Sequence, residues 1–319
     1  GSFLMACKPS EPKFNYPMTE KVDSVDTYFG HKVSDPYRWL EDDQSAQTAE
    51  WVKQQNAVTF GYLDSIAFRD RIRDRLTHIW NYPKSYAPFK SGGEYFFAKN
   101  DGLQNQNVYY MMEKLGDEPI LVLDPNLLST DGTVALSTFS VSNDGRYLGY
   151  GISRGGSDWN EFFIRDLTTG KDLADHLKWI KFSGLSWYGD GFFYNRYPQP
   201  REGDELKGAN SSSRLFFHKV GDGQDKDVLV YEDPQNPNWS FGGGVTDDSK
   251  LLIISVSEST SGNAFYFKRL DVANAPIIKV VEDFDNDFSV VDHIDGWLYV
   301  HTNYQAPRYD TSAIVPSLR

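Results

Sequence analysis

Asn143-Asp144-Gly145-Arg146-Tyr147-Leu148 sets a tight polar turn directly ahead of an apolar run, and the chain repeats that arrangement. The same pairing occurs in Gly92-Gly93-Glu94-Tyr95-Phe96-Phe97, Gly189-Asp190-Gly191-Phe192-Phe193-Tyr194, Asp247-Asp248-Ser249-Lys250-Leu251-Leu252 and Ile294-Asp295-Gly296-Trp297-Leu298-Tyr299. Turn positions 93, 145, 191, 249 and 296 lie 52, 46, 58 and 47 residues apart. Gly, Asp and Asn suit such turns, and aromatic and β-branched residues favour the strand that follows. Each unit then shows another strand, over residues 107–112, 161–167, 214–220, 264–270 and 308–315. A repeat of about 50 residues built from several short strands is the signature of β-propeller blades. One blade cannot bury both faces of its sheet, so neighbours must stack, with the aromatic strands filling the layers between them. A β-solenoid needs a shorter repeat, and a sandwich has no need of five similar units.

Composition narrows the function. Hydrophobic residues at 39% and charged residues at 24% describe a globular chain rather than a disordered one. At 319 residues it is long enough to form a core without disulfide or metal staples. The excess of 45 acidic over 32 basic residues gives a net charge of −13, with no Lys/Arg cluster to grip a nucleic acid. No apolar run approaches the ~18 residues of a membrane-spanning helix. A single cysteine excludes an internal disulfide and a multi-cysteine zinc site. The histidines at 31, 78, 176, 218, 293 and 301 are scattered and form no HExxH pair, so no metal or other cofactor is expected.

Ahead of the repeats the pattern is helical. Ala49, Val52, Phe60 and Leu63 follow a period near 3.6, and Phe68, Ile72, Leu76 and Ile79/Trp80 form a second stripe. Asp42, Asp43 and Ser45 are suitable N-terminal caps, the charges between Arg69 and Arg75 suit a solvated face or an interdomain contact, and Pro83 closes the region. The expected organisation is residues 1–13 as a signal or tether remnant, 14–82 as a helical segment, and 83–319 as about five blades.

The linear order of motifs carries a resemblance. His31-Lys32-Val33-Ser34-Asp35-Pro36-Tyr37-Arg38-Trp39-Leu40-Glu41-Asp42 resembles the N-terminal signature of prolyl oligopeptidases. Gly102-Leu103-Gln104-Asn105-Gln106, Leu123-Asp124-Pro125-Asn126, Asp131-Gly132-Thr133-Val134-Ala135-Leu136, Gly156-Ser157-Asp158-Trp159, Lys181-Phe182-Ser183 and Phe193-Tyr194-Asn195-Arg196-Tyr197-Pro198 are similar to successive motifs of that family. The ordered set runs from about residue 15 to 305, and residues 103–106 favour the prolyl branch over related dipeptidyl or oligopeptidase B-like enzymes. The resemblance implies a mainly β fold, a seven-bladed propeller of which this chain holds about the first five blades. It also implies that the helical segment packs on a C-terminal α/β-hydrolase domain. The implied activity is a serine-type prolyl endopeptidase that hydrolyses short peptides after proline, with the propeller selecting substrates by size. A Ser–Asp–His triad on the hydrolase domain performs that chemistry.

The nucleophile elbow of such a domain, Gly-x-Ser-x-Gly, does not occur in the 319 residues. Gly155-Gly156-Ser157-Asp158 leads into Trp159 and another strand, so Ser157 reads as part of a blade turn. No catalytic residue is therefore assigned, and residues 1–319 alone are expected to be inactive. An open blade edge exposes apolar surface, so the chain is expected to need the hydrolase domain and further blades, covalently or as a second chain.

By the resemblance, Phe182 contacts substrate near the subsite beyond the proline, and Asp158 lies near the domain interface, where its carboxylate attracts a peptide amine. The bland readings are a core aromatic and a turn-capping Asp. Ser257 falls where the family often has a carbonyl-binding arginine, which leaves a weaker contact, a substitute residue, or a register offset by one or two. His31 and Asp35 read as structural, and Trp39-Leu40 as an anchor onto another domain. Leu4-Met5-Ala6-Cys7 resembles the end of a bacterial lipoprotein signal, after a Gly1-Ser2 cloning remnant. It implies a lipid on Cys7 as the only membrane contact, in the cell envelope or periplasm. With a chance cysteine instead, the expectation is cytoplasmic. The competing function is a non-catalytic propeller that binds a peptide or protein.

Overall fold

The computed structural model describes residues 14–206 and 208–316, and Cys7 lies outside them. The chain divides between Asn81 and Tyr82 into two compact units.

The first unit contains a hairpin of β1 (Val25–Tyr28) and β2 (His31–Ser34), a 3-10 turn at Arg38–Glu41, and helices α1 (Ala46–Asp64) and α2 (Arg69–Trp80). Arg38 explains the local fold of the signature segment. Its Nε donates to Asp35 Oδ2 at 2.6 Å and its Nη2 donates to Asp26 Oδ2, so one guanidinium ties the hairpin to the 3-10 turn. Trp39 Nε1 donates to the Glu20 carbonyl at 2.9 Å, and Trp51 Nε1 to Thr19 Oγ1 at 2.9 Å. Ser45 is the working cap of α1, its Oγ accepting the Thr48 N–H at 3.1 Å. In α2 no residue is buried: Ile72, Leu76 and Trp80, with Phe68 at its N-cap, are each at least half exposed.

The second unit consists of five antiparallel sheets formed in sequence order. The first holds β3 (Lys84–Ser85), β4 (Phe89–Ser91), β5 (Glu94–Asn100), β6 (Val108–Met112) and β7 (Ile120–Leu123). The second holds β8 (Val134–Val141), β9 (Tyr147–Arg154), β10 (Asn160–Asp166) and β11 (Lys171–Ile180). The third holds β12 (Ser186–Tyr188), β13 (Gly191–Arg196), β14 (Arg214–Lys219) and β15 (Val228–Tyr231). The fourth holds β16 (Ser240–Val245), β17 (Leu251–Ser257), β18 (Ala264–Arg269) and β19 (Ile277–Val281). The fifth holds β20 (Phe288–Ile294), β21 (Trp297–Thr302) and β22 (Asp310–Pro316). Each turn quoted from the sequence is a hairpin, between β4 and β5 in the first sheet and between the first and second strands in the other four. The turns of the second and fourth sheets share one device. Ser142 Oγ and Thr246 Oγ1 accept the N–H of Tyr147 and Leu251, and Asp144 and Asp248 accept those of Arg146 and Lys250.

Strand alternation makes the sheets stack. Phe192 and Tyr194 turn to the second blade, where they pack with Phe162, Ile164, Leu177 and Ile180. Phe193, between them, turns to the fourth blade and packs with Phe241, Ile254 and Tyr266. Two further clusters fill the other layers: Phe96 and Leu123 against Leu148 and Ile152, and Phe265 and Phe267 against Leu298 and Val300. Burying one such side chain stabilises by roughly 1.5–3 kcal/mol, so the core is distributed over four interblade layers.

Three motifs of the sequence meet at the layer between the first and second blades. Gln106 Nε2 donates to the Val134 carbonyl and its Oε1 accepts the Leu136 N–H, both at 2.8 Å, so the side chain pairs with β8 as a strand would. The Gln106 backbone is held in turn by Asn126, through 2.9 Å bonds in both directions. Gln106→Ala leaves two β8 groups without these partners and is expected to cost about 2 kcal/mol, read as a lower urea midpoint. An unchanged midpoint would contradict the clamp.

Candidate functional site

Residues 181–183, between β11 and β12, hold an aromatic side chain outward. Lys181 is buried, with Nζ donating to Asn210 Oδ1 at 2.8 Å and lying 4.1 Å over the Trp159 ring. Ser183 Oγ accepts the Asn195 N–H at 2.9 Å, and Asn195 Nδ2 donates to the Lys181 carbonyl at 3.1 Å. Between these pinned neighbours Phe182 has φ +53° and is 70% exposed. Left-handed backbone is costly for a bulky residue, and an exposed phenylalanine there serves no core.

Phe182 lines a cavity of about 370 Å³ at the inner ends of the third, fourth and fifth blades. Its other walls are Gly242–Asp247 with Ile253 and Ser255 on the fourth blade, Phe288–Asp292 on the fifth, and Asn195. Two carboxylates, Asp247 and Asp292, face no Lys or Arg among the lining residues. The cavity thus combines apolar walls, main-chain groups and hydroxyls, the mixture that suits a peptide.

Asp158 lies elsewhere. It is exposed in the turn between β9 and β10, where its carbonyl accepts from Asn160 Nδ2 at 2.9 Å, and it does not line the cavity. Ser157 belongs to the same turn, and its Oγ accepts the Trp159 N–H at 3.1 Å. Ser257 closes β17 opposite Ser240 and is not a lining residue. His31 and Asp35 are not joined: Asp35 is bound by Arg38, and His31 stands across the hairpin from Tyr28. The triple glycine Gly242-Gly243-Gly244 was not singled out from the sequence, although glycine inside a strand marks a close approach of backbone or ligand.

A second polar cluster is buried between the second and third blades. His218 has no exposed side-chain surface, with Nδ1 2.6 Å from Asp227 Oδ1 and Nε2 3.0 Å from Asp175 Oδ1. The Gly221 N–H donates to Asp175 at 2.6 Å, and the Tyr194 hydroxyl donates to Asp227 at 2.5 Å. Burial lowers the imidazole pKa, but the two carboxylates outweigh it and raise His218 to about 9. Burial raises Asp175, but its bonds from His218 and Gly221 leave it below the usual carboxylate value. Among the described residues no cluster of three His, Cys, Asp or Glu is placed to hold a metal, and no helix is long and apolar enough to cross a membrane.

Sheets stacked through aromatic layers, with a cavity at their inner ends, define a β-propeller. The model of the prolyl oligopeptidase N-terminal β-propeller domain matches residues 16–314, and the chain belongs to the prolyl oligopeptidase family. It is 44% identical over 294 residues to the prolyl endopeptidase of Elizabethkingia meningoseptica, covering 92% of this chain and 41% of that protein. It is 34% identical over 347 residues to prolyl oligopeptidase A of Amanita bisporigera, covering 97% and 45%. A solved structure of prolyl oligopeptidase B from Galerina marginata, bound to a 35mer hydrolysis and macrocyclization substrate, superposes with a TM-score of 0.82 at 27% identity, covering 95% of this chain and 48% of that one. The chain spans less than half the length of these relatives.

Proposed function

We propose that this chain is the N-terminal and propeller part of a serine-type prolyl endopeptidase that hydrolyses short peptides after proline. The observation that carries the reading is the 44% identity, over 92% of the chain, to a protein named prolyl endopeptidase. In this reading the five sheets belong to a seven-bladed ring, and the exposed stripe of α2 packs on a C-terminal α/β-hydrolase domain that performs the acyl transfer. The propeller gates substrates by size, and Phe182 offers its exposed ring to an apolar peptide side chain. Asp158 attracts a peptide amine near the domain interface, and Ser257 leaves the peptide without an arginine contact. A lipid on Cys7 places the enzyme in the cell envelope.

The test is hydrolysis of a proline–chromophore peptide by the natural full-length protein and by residues 1–319. Turnover is expected from the first and none from the second. Activity in residues 1–319 alone, or inactivity of a folded full-length protein, would overturn the proposal. Phe182→Ala is expected to raise KM about threefold to tenfold with little change in kcat, since one aromatic contact is worth ~0.5–1.5 kcal/mol.

A further inference from the structure

The inner strand of the fourth blade differs from its counterparts. The first blade's is broken into β3 and β4, β8 and β20 carry register shifts, and β12 has three residues. β16 pairs with β17 in unbroken register over all six of its residues, and among the described residues no strand is hydrogen-bonded along its other edge. Edge strands are normally protected by charge, proline or a bulge, and Ser240–Val245 has none of these. It has Gly242, Gly243 and Gly244 instead.

Gly243 has a packing reason, because a Cβ there would come within 2.8 Å of Leu215. Gly242 and Gly244 have none: neither has a positive φ, and a Cβ on either would meet nothing within 4 Å. Both face the cavity that Phe182 borders. Glycine weakens a strand, so two glycines without a packing or backbone reason indicate that another backbone comes close. The polarity of the edge agrees. The Val245 N–H turns away from β17 to Ser186 Oγ at 2.8 Å, and alternation directs the Gly243 N–H and C=O to the same edge.

We infer that β16 is a docking strand. An extended peptide adds its main chain to the inner edge at Gly242–Gly244, and its alternate side chains enter the cavity beside Phe182. The kind of ligand rests on the peptide-binding reading above, whereas the mode of binding rests on the strand itself.

The experiment measures binding without hydrolysis. The probe is acetyl-Lys-Ala-Phe-Ala-Val-Ala-Phe-amide, which lacks proline, titrated calorimetrically into the natural full-length protein. Two analogues are N-methylated on the odd or on the even residues. Strand addition predicts that one methylation register raises Kd at least about tenfold while the other is tolerated, because only alternate amides face the edge. Gly244→Val is expected to raise Kd by a similar factor while leaving Tm within about 2 °C, since valine suits a strand and meets open space. Equal affinity of the two analogues, unchanged affinity of Gly244→Val, or no binding of the parent peptide would overturn the inference. Failure of proline-peptide hydrolysis alone would remove the peptidase reading and leave this result standing.

Discussion

Replacing His218 with alanine is expected to cost about 3–5 kcal/mol, the range for removing one partner of a buried ion cluster. The imidazole is enclosed between Asp175 and Asp227, and without it two buried carboxylates face each other across an empty site. Among the described residues Asp175 Oδ2 has no hydrogen-bond partner, so without His218 that carboxylate keeps the Gly221 N–H bond but has no cation beside it. The loss is read as a lower urea midpoint followed by tryptophan fluorescence. The cluster also sets a pH dependence. The folded pKa of His218, about 9, lies above its ordinary value of 6.5. Its contribution is therefore present in full below pH 6.5 and is lost as pH rises through 9, a change on the order of 3 kcal/mol. Asp175 acts at the other end: its pKa is lowered, so its contribution is present above the ordinary carboxylate range and lost as pH falls. The urea midpoint of the protein should fall between pH 7 and pH 10, and His218→Ala should flatten that fall. A variant with the parent midpoint and the same pH profile would rule out a buried imidazolium.

The second large effect is at the contact between the first two blade turns. A Cβ on Gly92 would lie 2.1 Å from Gly145 Cα and 2.3 Å from its nitrogen, and both atoms are backbone that cannot swing aside. Gly92 also has φ +57°, so Gly92→Ala combines a steric clash with left-handed strain. The expected cost is about 2–4 kcal/mol. Gly93→Ala is the control. It has φ +90° and nothing within 4 Å of its Cβ, so only strain of about 1 kcal/mol applies. Gly145→Ala meets the Gly92 carbonyl at 2.5 Å and should resemble Gly92→Ala, with the double variant less costly than the two effects added. Equal losses at 92 and 93 would show that the turns do not touch in solution.

How much of this was legible follows from where each side chain points. The second and third strands of the second, third and fourth blades were readable because side chains on both faces are largely buried, which makes them apolar and nearly continuous, as in Phe192-Phe193-Tyr194. The first and outermost strands were not. β16 reads as glycine and serine, and β15 and β19 are partly exposed, so neither type carries a strong period. Gln106 belonged to a recognisable motif, but its role as a surrogate strand partner depends on β8, about 30 residues away, which no local pattern indicates. Ser45 could be read as a cap because its partner is three residues along the chain.

The amino-acid sequence by itself determined the repeat, the blade turns, the two helices and the family, because each rests on local chemistry or on the order of short motifs. Tertiary structure decided what those residues do together. It held Phe182 outward between two pinned neighbours and placed Asp158 away from the cavity. It joined His218 to carboxylates 43 and 9 residues distant. It also left Gly242 and Gly244 beside open space. Exposure, charge pairing and empty volume arise only when separate blades pack, so they appear in no single stretch of the chain.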